Sequence, residues 1–198
     1  MPKTLALPPR RIPRHSAPIR GAPARGPRTR DAEVVEPALH PDISALAPLL
    51  GTWTGRGHGE YPTIEPFDYD ESVSFTHTGK PFVVYTQSTR HCADGRPLHG
   101  ERGFWRVPGA GRIELVIAHP NGIAEIAEGT FDGAVINVAS TAVSRTSSAK
   151  DVTVVERDFA LDGDALGYSL RMTAMGRPLT HHLAAQLRRA EEERRGAA

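Results

Sequence analysis

Cysteine is nearly absent from this sequence, and Cys92 is its only instance. A single cysteine excludes an internal disulfide and most cysteine-based metal sites. Long apolar runs are also missing, because no window approaches the roughly 18 apolar residues of a membrane-spanning helix. The N-terminus is basic but has no apolar core of signal-peptide length. These absences predict a soluble, cytoplasmic protein with no membrane partner.

Acidic residues are absent from the first 30 positions, which hold eight Lys or Arg residues and seven prolines. Proline removes backbone donors, and the few apolar residues cannot offset the entropy of ordering this segment. We therefore expect residues 1–37 to form a disordered, basic extension. No aromatic side chain is interleaved with its arginines, which argues against a nucleic-acid partner. Weak, salt-dependent binding to polyanions stays open.

The rest of the chain has the pattern of an all-β domain. Short apolar and aromatic segments are separated by turn sequences, such as those at 93–97, 120–122 and 162–164. No helical segment is long enough to cross over between them. We predict an antiparallel up-and-down β-barrel of about ten strands over residues 38–190. A closed barrel of this size can enclose a ligand, whereas small barrels are filled by side chains.

Two short segments flank the predicted strands. Asp42 is a candidate cap for a short N-terminal helix, in which Ile43, Leu46 and Leu49 recur at helical spacing. Residues 191–198 are rich in charge, and we expect them to form a separate C-terminal tail.

Glycine is concentrated at the start of the predicted barrel. Gly55, Gly57 and Gly59 occupy every second position, and Gly51 and Trp53 have the same parity. Residues of one parity share one face of a strand, so this face is almost bare backbone around one indole. Because glycine weakens a strand, the pattern predicts a bend or the close approach of another group.

This glycine segment, continued into 61–64, resembles the signature of the nitrobindin family. Further segments that fit the family follow in order along the chain: Phe67-Asp68-Tyr69-x-Glu71, Gly79-Lys80-Pro81-Phe82, Pro97-Leu98-His99-x-Glu101-x-Gly103, Ala149-Lys150 and Pro178-Leu179-x-x-His182-Leu183. The resemblance covers about residues 40–190. The ordered set is more specific than any one motif within it.

The resemblance implies a haem-binding barrel related in fold to the fatty-acid-binding proteins. It implies ferric haem b held by one proximal histidine, reversible nitric oxide binding, and an enzyme that isomerises peroxynitrite to nitrate. The proximal iron ligand falls on His182, and Thr63 and Lys150 fall on haem-contacting positions. No catalytic group beyond the haem iron is required. The glycine face would then be a thin wall beside the flat macrocycle.

Alternation and family resemblance disagree about which histidine faces inward. His181 and His182 are adjacent, so a regular strand sends them to opposite faces. His181 shares parity with Leu183 and Leu187, and the hydrophobic pattern alone would therefore send His181 into the barrel. The family register points to His182, and we follow that register.

The remaining nominal iron ligands are less suitable. His58, His77 and His99 are predicted to have structural roles. Cys92 lies in a turn-rich region and could ligate haem only after rearrangement.

Two other functions also fit a barrel of this size. One is non-enzymatic binding of fatty acids or other lipophilic ligands, and the other is a haem-based nitric oxide sensor or carrier without turnover. A haem spectrum would separate the haem functions from the lipid function. The sequence leaves a homodimer open.

Overall fold

The computed structural model describes residues 37–191. Within that range a short 3₁₀ helix at Pro41–Leu49 precedes ten strands. The strands are β1 (Gly51–Tyr61), β2 (Ile64–His77), β3 (Val83–His91), β4 (Pro97–Gly109), β5 (Arg112–His119), β6 (Ile123–Phe131), β7 (Val135–Arg145), β8 (Val152–Asp162), β9 (Ala165–Ala174) and β10 (Thr180–Arg189).

The ten strands close into one antiparallel barrel. Each strand pairs with its neighbours in chain order, and β10 returns to pair with β1 from Trp53↔Arg189 to Gly59↔Leu183. Closure leaves no free sheet edge, which is the most complete protection against edge-to-edge association. The predicted up-and-down barrel of about ten strands with a short N-terminal helix is confirmed.

The helix differs from the expectation in its cap and in its type. His40 is the cap residue, and its ring Nδ1 accepts a hydrogen bond from the backbone N–H of Asp42 at 3.2 Å. The prediction of Asp42 as the cap is therefore wrong, because Asp42 lies inside the first turn. Pro41 begins the helix and Pro48 lies within it. Proline lacks the N–H that a longer regular helix requires, and the segment stays short.

The helix packs across the end of the barrel where β1 begins and β10 ends. Its Ile43, Leu46 and Leu49 are completely buried in one cluster with Trp53 and Trp105. The Trp53 indole N–H donates to the Leu49 carbonyl at 2.8 Å, which anchors the helix to the first strand. Large side chains therefore fill this end of the barrel.

The opposite end has a separate and smaller apolar cluster. Tyr61, Ile123, Val155 and Leu170 contribute to it, and they come from β1, β6, β8 and β9. The side chains at this end surround a space and do not fill it.

The sequence also predicts an extension before the barrel and a tail after it. The predicted extension at 1–37 and tail at 191–198 lie outside the described residues, except for positions 37 and 191 themselves. Within residues 37–191, no helix is both long enough and apolar enough to cross a membrane.

Candidate functional site

A cavity of about 290 Å³ lies at the end of the barrel opposite the helix. We call it the barrel cavity. Its walls are largely apolar, and its rim includes the exposed residues Thr63, Asn121, Lys150 and Met175. The apolar wall residues include Ile123, Val152, Val155, Leu170, Met172 and Leu183. An apolar concavity with a few polar groups is the usual form of a small-molecule or cofactor site.

His182 faces the barrel cavity from β10. Its Nδ1 lies 3.0 Å from the backbone carbonyl oxygen of Glu60. A carbonyl oxygen only accepts hydrogen bonds, so the neutral ring carries its proton on Nδ1 and has a free lone pair on Nε2. The Tyr61 ring packs edge-on at 5.6 Å between centroids and restricts the orientation of the imidazole.

Burial lowers the pKa of His182. A lowered pKa keeps the imidazole neutral at physiological pH, and the neutral form is the one that ligates metals. The carbonyl of Glu60 is the partner of the second ring nitrogen that a histidine ligand usually has.

A β-bulge explains why alternation and resemblance disagree about the two histidines. His181 pairs with Arg171, and the next pair is Leu183 with Leu170, so His182 is an extra residue on β10. After a bulge of this kind, the odd- and even-numbered residues of the strand exchange the faces to which they point. His182 and Leu183 therefore both line the barrel cavity, and His181 does not. The hydrophobic pattern predicted the wrong histidine because it assumed a regular strand.

Thr63 and Lys150 stand on the rim of the same cavity. Thr63 lies in the turn between β1 and β2, and Lys150 lies in the loop between β7 and β8. Both residues are exposed. The structure thus brings the three predicted site residues around one cavity, with the histidine on the wall and the hydroxyl and ammonium groups at the mouth.

The glycines of β1 provide space for neighbouring protein atoms. A Cβ at Gly57 would lie 2.3 Å from the Tyr69 ring, and one at Gly59 would lie 2.4 Å from the Phe67 ring. A Cβ at Gly55 would lie 2.1 Å from the backbone oxygen of Gln186. The predicted close approach is therefore real, but the approaching groups are two aromatic rings and a strand. The expectation of a bare wall for the macrocycle is wrong, because these rings already cover it.

A buried charged group lies on another part of the cavity wall. We call it the Arg157 cluster, and it consists of His99, Glu101, His119, Glu125 and Arg157. The Arg157 guanidinium donates to Glu101 at 3.0 Å and also to Glu125. Tyr85 donates its hydroxyl to the other oxygen of Glu101 at 3.1 Å. His99, Glu101, His119 and Arg157 all border the barrel cavity.

The charges in this cluster are set by burial and by Arg157. Burial, the largest influence, favours the neutral carboxyl of Glu101. Arg157, His99 and His119 together outweigh it and hold the pKa of Glu101 well below its usual range. Burial raises the pKa of Glu125, which the guanidinium offsets only in part. Burial also lowers the pKa of His119 to about 4, so that imidazole is neutral at pH 7.

A second buried carboxyl group, Glu71, lies within a hydrogen-bonded set of its own. Gln87 donates its amide to Glu71 at 2.9 Å, and Tyr168 donates its hydroxyl at 3.0 Å. The hydroxyls of Tyr69 and Tyr168 are 3.0 Å apart. Burial raises the pKa of Glu71 to about 7, since these neutral donors compensate only partly for lost water.

Sequence reasoning missed the Arg157 cluster and treated His99 as an isolated structural residue. One available signal was that His99 and Glu101 share parity on one strand, so they share a face. The rest depends on strand register. The pairing of Arg102 with Ala118 sets Glu101 opposite His119, and this register cannot be read from either strand alone.

The barrel cavity suits haem by the chemistry of its groups. It offers the neutral imidazole of His182 with its free Nε2, apolar walls for a macrocycle, and a lysine and a threonine at the mouth for the propionates. A single histidine is a common axial ligand of haem iron. His182 would hold the iron, and Lys150 and Thr63 would contact the propionates.

A closed ten-stranded barrel with an imidazole facing an apolar cavity defines a cofactor-binding β-barrel. Residues 42–189 match the family model of the THAP4-like, heme-binding beta-barrel domain. The chain belongs to this family, and its cofactor is haem. The resemblance to nitrobindins is thereby confirmed.

The match to this chain extends over nearly the full length of several similar proteins. "Peroxynitrite isomerase 2" of Mycobacterium marinum is 59% identical over 155 residues, which are 76% of this chain and 96% of that protein. "Peroxynitrite isomerase" of Nocardia farcinica is 56% identical over 156 residues, with 77% and 93% covered. The crystal structure of Rv2717c from M. tuberculosis has a TM-score of 0.74 at 51% identity and covers 78% of this chain and 100% of that chain.

Proposed function

We propose that this protein is a haem-dependent peroxynitrite isomerase, which converts peroxynitrite to nitrate and binds nitric oxide at the same haem. The reaction rearranges one anion into another of the same composition, so it requires no second substrate and no net redox partner. Relatives at 56–59% identity carry the name peroxynitrite isomerase, which supports the assignment of the reaction.

The observation that carries the proposal is the position of His182. Its Nε2 is the free nitrogen of an imidazole that faces an apolar cavity, and the Glu60 carbonyl fixes the tautomer. A hydrogen-bonded second nitrogen orients a ligand and makes it more basic. His182 would therefore be the proximal iron ligand in this proposal.

Ferric haem supplies a Lewis-acidic iron with a coordination position for nitric oxide or peroxynitrite. The chain contributes binding, orientation and control of access. The apolar walls would keep water from a bound macrocycle, and the exclusion of water strengthens electrostatic interactions inside the cavity. Lys150 and Thr63 provide a positive charge and a hydroxyl donor at the mouth, where they would fix the propionate edge.

The cellular setting belongs to the same proposal. A cytoplasmic location agrees with the lone Cys92, because disulfide-rich frameworks belong to oxidising compartments. The partners in this proposal are the small molecules nitric oxide and peroxynitrite. A homodimer is compatible with the proposal but is not needed for it, because one chain contributes all of the named groups.

The test is stopped-flow mixing of peroxynitrite with the haem-loaded full-length chain, followed by nitrate analysis. We expect decay faster than in buffer and a raised nitrate yield, both lost in His182→Ala. His181→Ala is the matched control, since His181 does not line the barrel cavity, and it should keep the wild-type rate. Peroxynitrite decay no faster than in buffer would contradict the isomerase assignment but would not contradict haem binding.

A colourless protein after haem titration would instead favour the lipophilic-ligand function. In that case a fluorescent fatty acid should enter the same apolar cavity, and its binding should be blocked by a bulky substitution such as Val155→Trp.

A further inference from the structure

We propose that His99, Glu101 and His119 form a binding site for a divalent cation of the zinc class, distinct from the haem iron. The proposal does not rest on the haem function. His99 and Glu101 lie on β4, and His119 ends β5, the next strand of the barrel. One ligand atom from each residue lies within 4.8 Å of the other two.

The separations between these atoms match those of a tetrahedral site. His99 Nε2 lies 3.2 Å from His119 Nδ1 and 3.6 Å from Glu101 Oε1, and His119 Nδ1 lies 3.5 Å from Glu101 Oε1. Zinc bonds of about 2.0–2.2 Å to nitrogen and oxygen put neighbouring tetrahedral ligands about 3.3–3.6 Å apart. The three atoms therefore lie near the corners of one tetrahedral face.

The residue types favour zinc-class ions over magnesium or calcium. Two imidazole nitrogens and one carboxylate oxygen suit zinc and its first-row neighbours, whereas magnesium and calcium prefer all-oxygen ligands. Three protein ligands leave a fourth position open. Since all three residues border the barrel cavity, that position is accessible from the cavity.

The surroundings of His119 give independent support. Its Nε2 and the Glu125 Oε2 are buried and have no hydrogen-bond partner within the described range, and they lie 3.9 Å apart. The His119 side chain is 8% exposed and that of Glu125 is 0% exposed. A metal on Nδ1 fixes the ring proton on Nε2, which then points towards a carboxylate. Histidine ligands usually have such a carboxylate partner.

The side chains that hold Glu101 point the same way. Glu101 and Glu125 share the Arg157 guanidinium, the cationic side chain that contacts both of them in the described part of the chain. Arg157 and Tyr85 also hydrogen-bond the Glu101 carboxylate, and ligating carboxylates are themselves held in this way.

The test is a zinc titration of the full-length chain by calorimetry, with and without haem. We expect one zinc ion per chain at this site in both forms. Cobalt in place of zinc should give the strong visible absorption bands of a tetrahedral ion, and magnesium should give neither heat nor a spectrum.

Single substitutions test which residues bind the ion. His119→Gln and His99→Gln should abolish the cobalt bands, and Glu125→Gln should weaken zinc binding roughly 10–100-fold. His58→Gln is the matched control, because His58 is an exposed histidine on β1, and it should bind as the wild type does. His99 is more exposed than His119, so His99→Gln still reports if His119→Gln does not fold.

Three outcomes would overturn the proposal. They are the absence of zinc binding in both forms, binding that survives both histidine substitutions, and binding that haem abolishes. The last would make the ion a competitor for the haem position and not a second site. Haem loading of His99→Gln, followed by its absorption spectrum, shows separately whether the haem site is intact.

Discussion

His182 Nδ1 and the Glu60 carbonyl oxygen lie 3.0 Å apart, across the closing pair of strands of the barrel. This contact joins the extra residue of the β10 bulge to the end of the glycine-rich strand. It fixes the tautomer of His182, which faces the barrel cavity from β10. The closing strand pair, the bulge and the proposed iron ligand are thus parts of one local arrangement.

The glycines of β1 should tolerate alanine poorly. At Gly55 the new Cβ would meet the Gln186 backbone, and at Gly57 it would meet the Tyr69 ring. Overpacking of this kind costs about 1–3 kcal/mol, and the backbone contact at Gly55 should put it at the upper end. Urea denaturation of Gly55→Ala and Gly57→Ala measures the loss.

Gly109→Ala is the control for these two variants. Among residues 37–191, no atom beyond Gly109 and its two chain neighbours lies within 4 Å of a Cβ built at Gly109, which also sits in a strand. Its stability should stay within about 0.5 kcal/mol of the wild type. Equal losses at Gly109 and Gly55 would show that glycine flexibility, and not close packing, sets the cost.

Glu71 should make the protein less stable as the pH rises. Its pKa in the folded protein is about 7, against an ordinary value of 4.5. Between these values the folded chain keeps a proton that the unfolded chain has lost, so the free energy of unfolding falls with pH. The contribution of Glu71 to the free energy of unfolding is fully present below about pH 4.5. It is lost as the pH rises through 7, which lowers the free energy of unfolding by roughly 3 kcal/mol at 1.36 kcal/mol per pKa unit.

Glu71→Gln should remove this pH dependence. Denaturation midpoints at a series of pH values from 4.5 to 8 would show a smaller decline in the variant than in the wild type. Glu65→Gln is the control, because Glu65 is an exposed carboxylate on the same strand, and it should keep the wild-type slope. Identical slopes for the wild type and Glu71→Gln would refute the assignment.

Arg157→Met should be strongly destabilising. The substitution keeps an unbranched side chain but leaves Glu101 and Glu125 without their shared cation. Removing one partner of a buried ion pair costs about 3–5 kcal/mol, because it leaves a buried charge without a partner. Thermal or urea unfolding provides the measurement.

Arg56→Met is the matched control for this ion pair. Arg56 pairs with Asp70 at 3.1 Å, but its side chain is 80% exposed. Exposed pairs contribute about 0–1 kcal/mol, so little stability should be lost. A similar loss in both variants would mean that burial does not set the energetics of the Arg157 cluster.

The barrel could be predicted from the sequence, because turn signals and strand patterns are local. The spacing of Gly55, Gly57 and Gly59 also predicted a close approach correctly, although not which group approaches. Aromatic rings of β2 fill that space, and their placement depends on the pairing of two strands. The sequence of β1 alone could therefore not predict which side chains lie against its glycines.

The site was less accessible to sequence reasoning than the fold. Alternation favoured His181, because a bulge cannot be seen in a pattern that assumes a constant period of two. The inward position of His182 followed from family resemblance alone. Arg157 and Glu125 lie in strand segments where charged residues normally face solvent, and only closure of the barrel places them against Glu101 and His119.

The central claim is that His182 holds haem in the barrel cavity. The most direct measurement is the absorption spectrum of the full-length chain titrated with ferric haem, for the wild type, His182→Ala and His181→Ala. We predict a protein-bound Soret band for the wild type and for His181→Ala, and the spectrum of unbound haem for His182→Ala. A Soret band of unchanged position and affinity in His182→Ala would contradict the account.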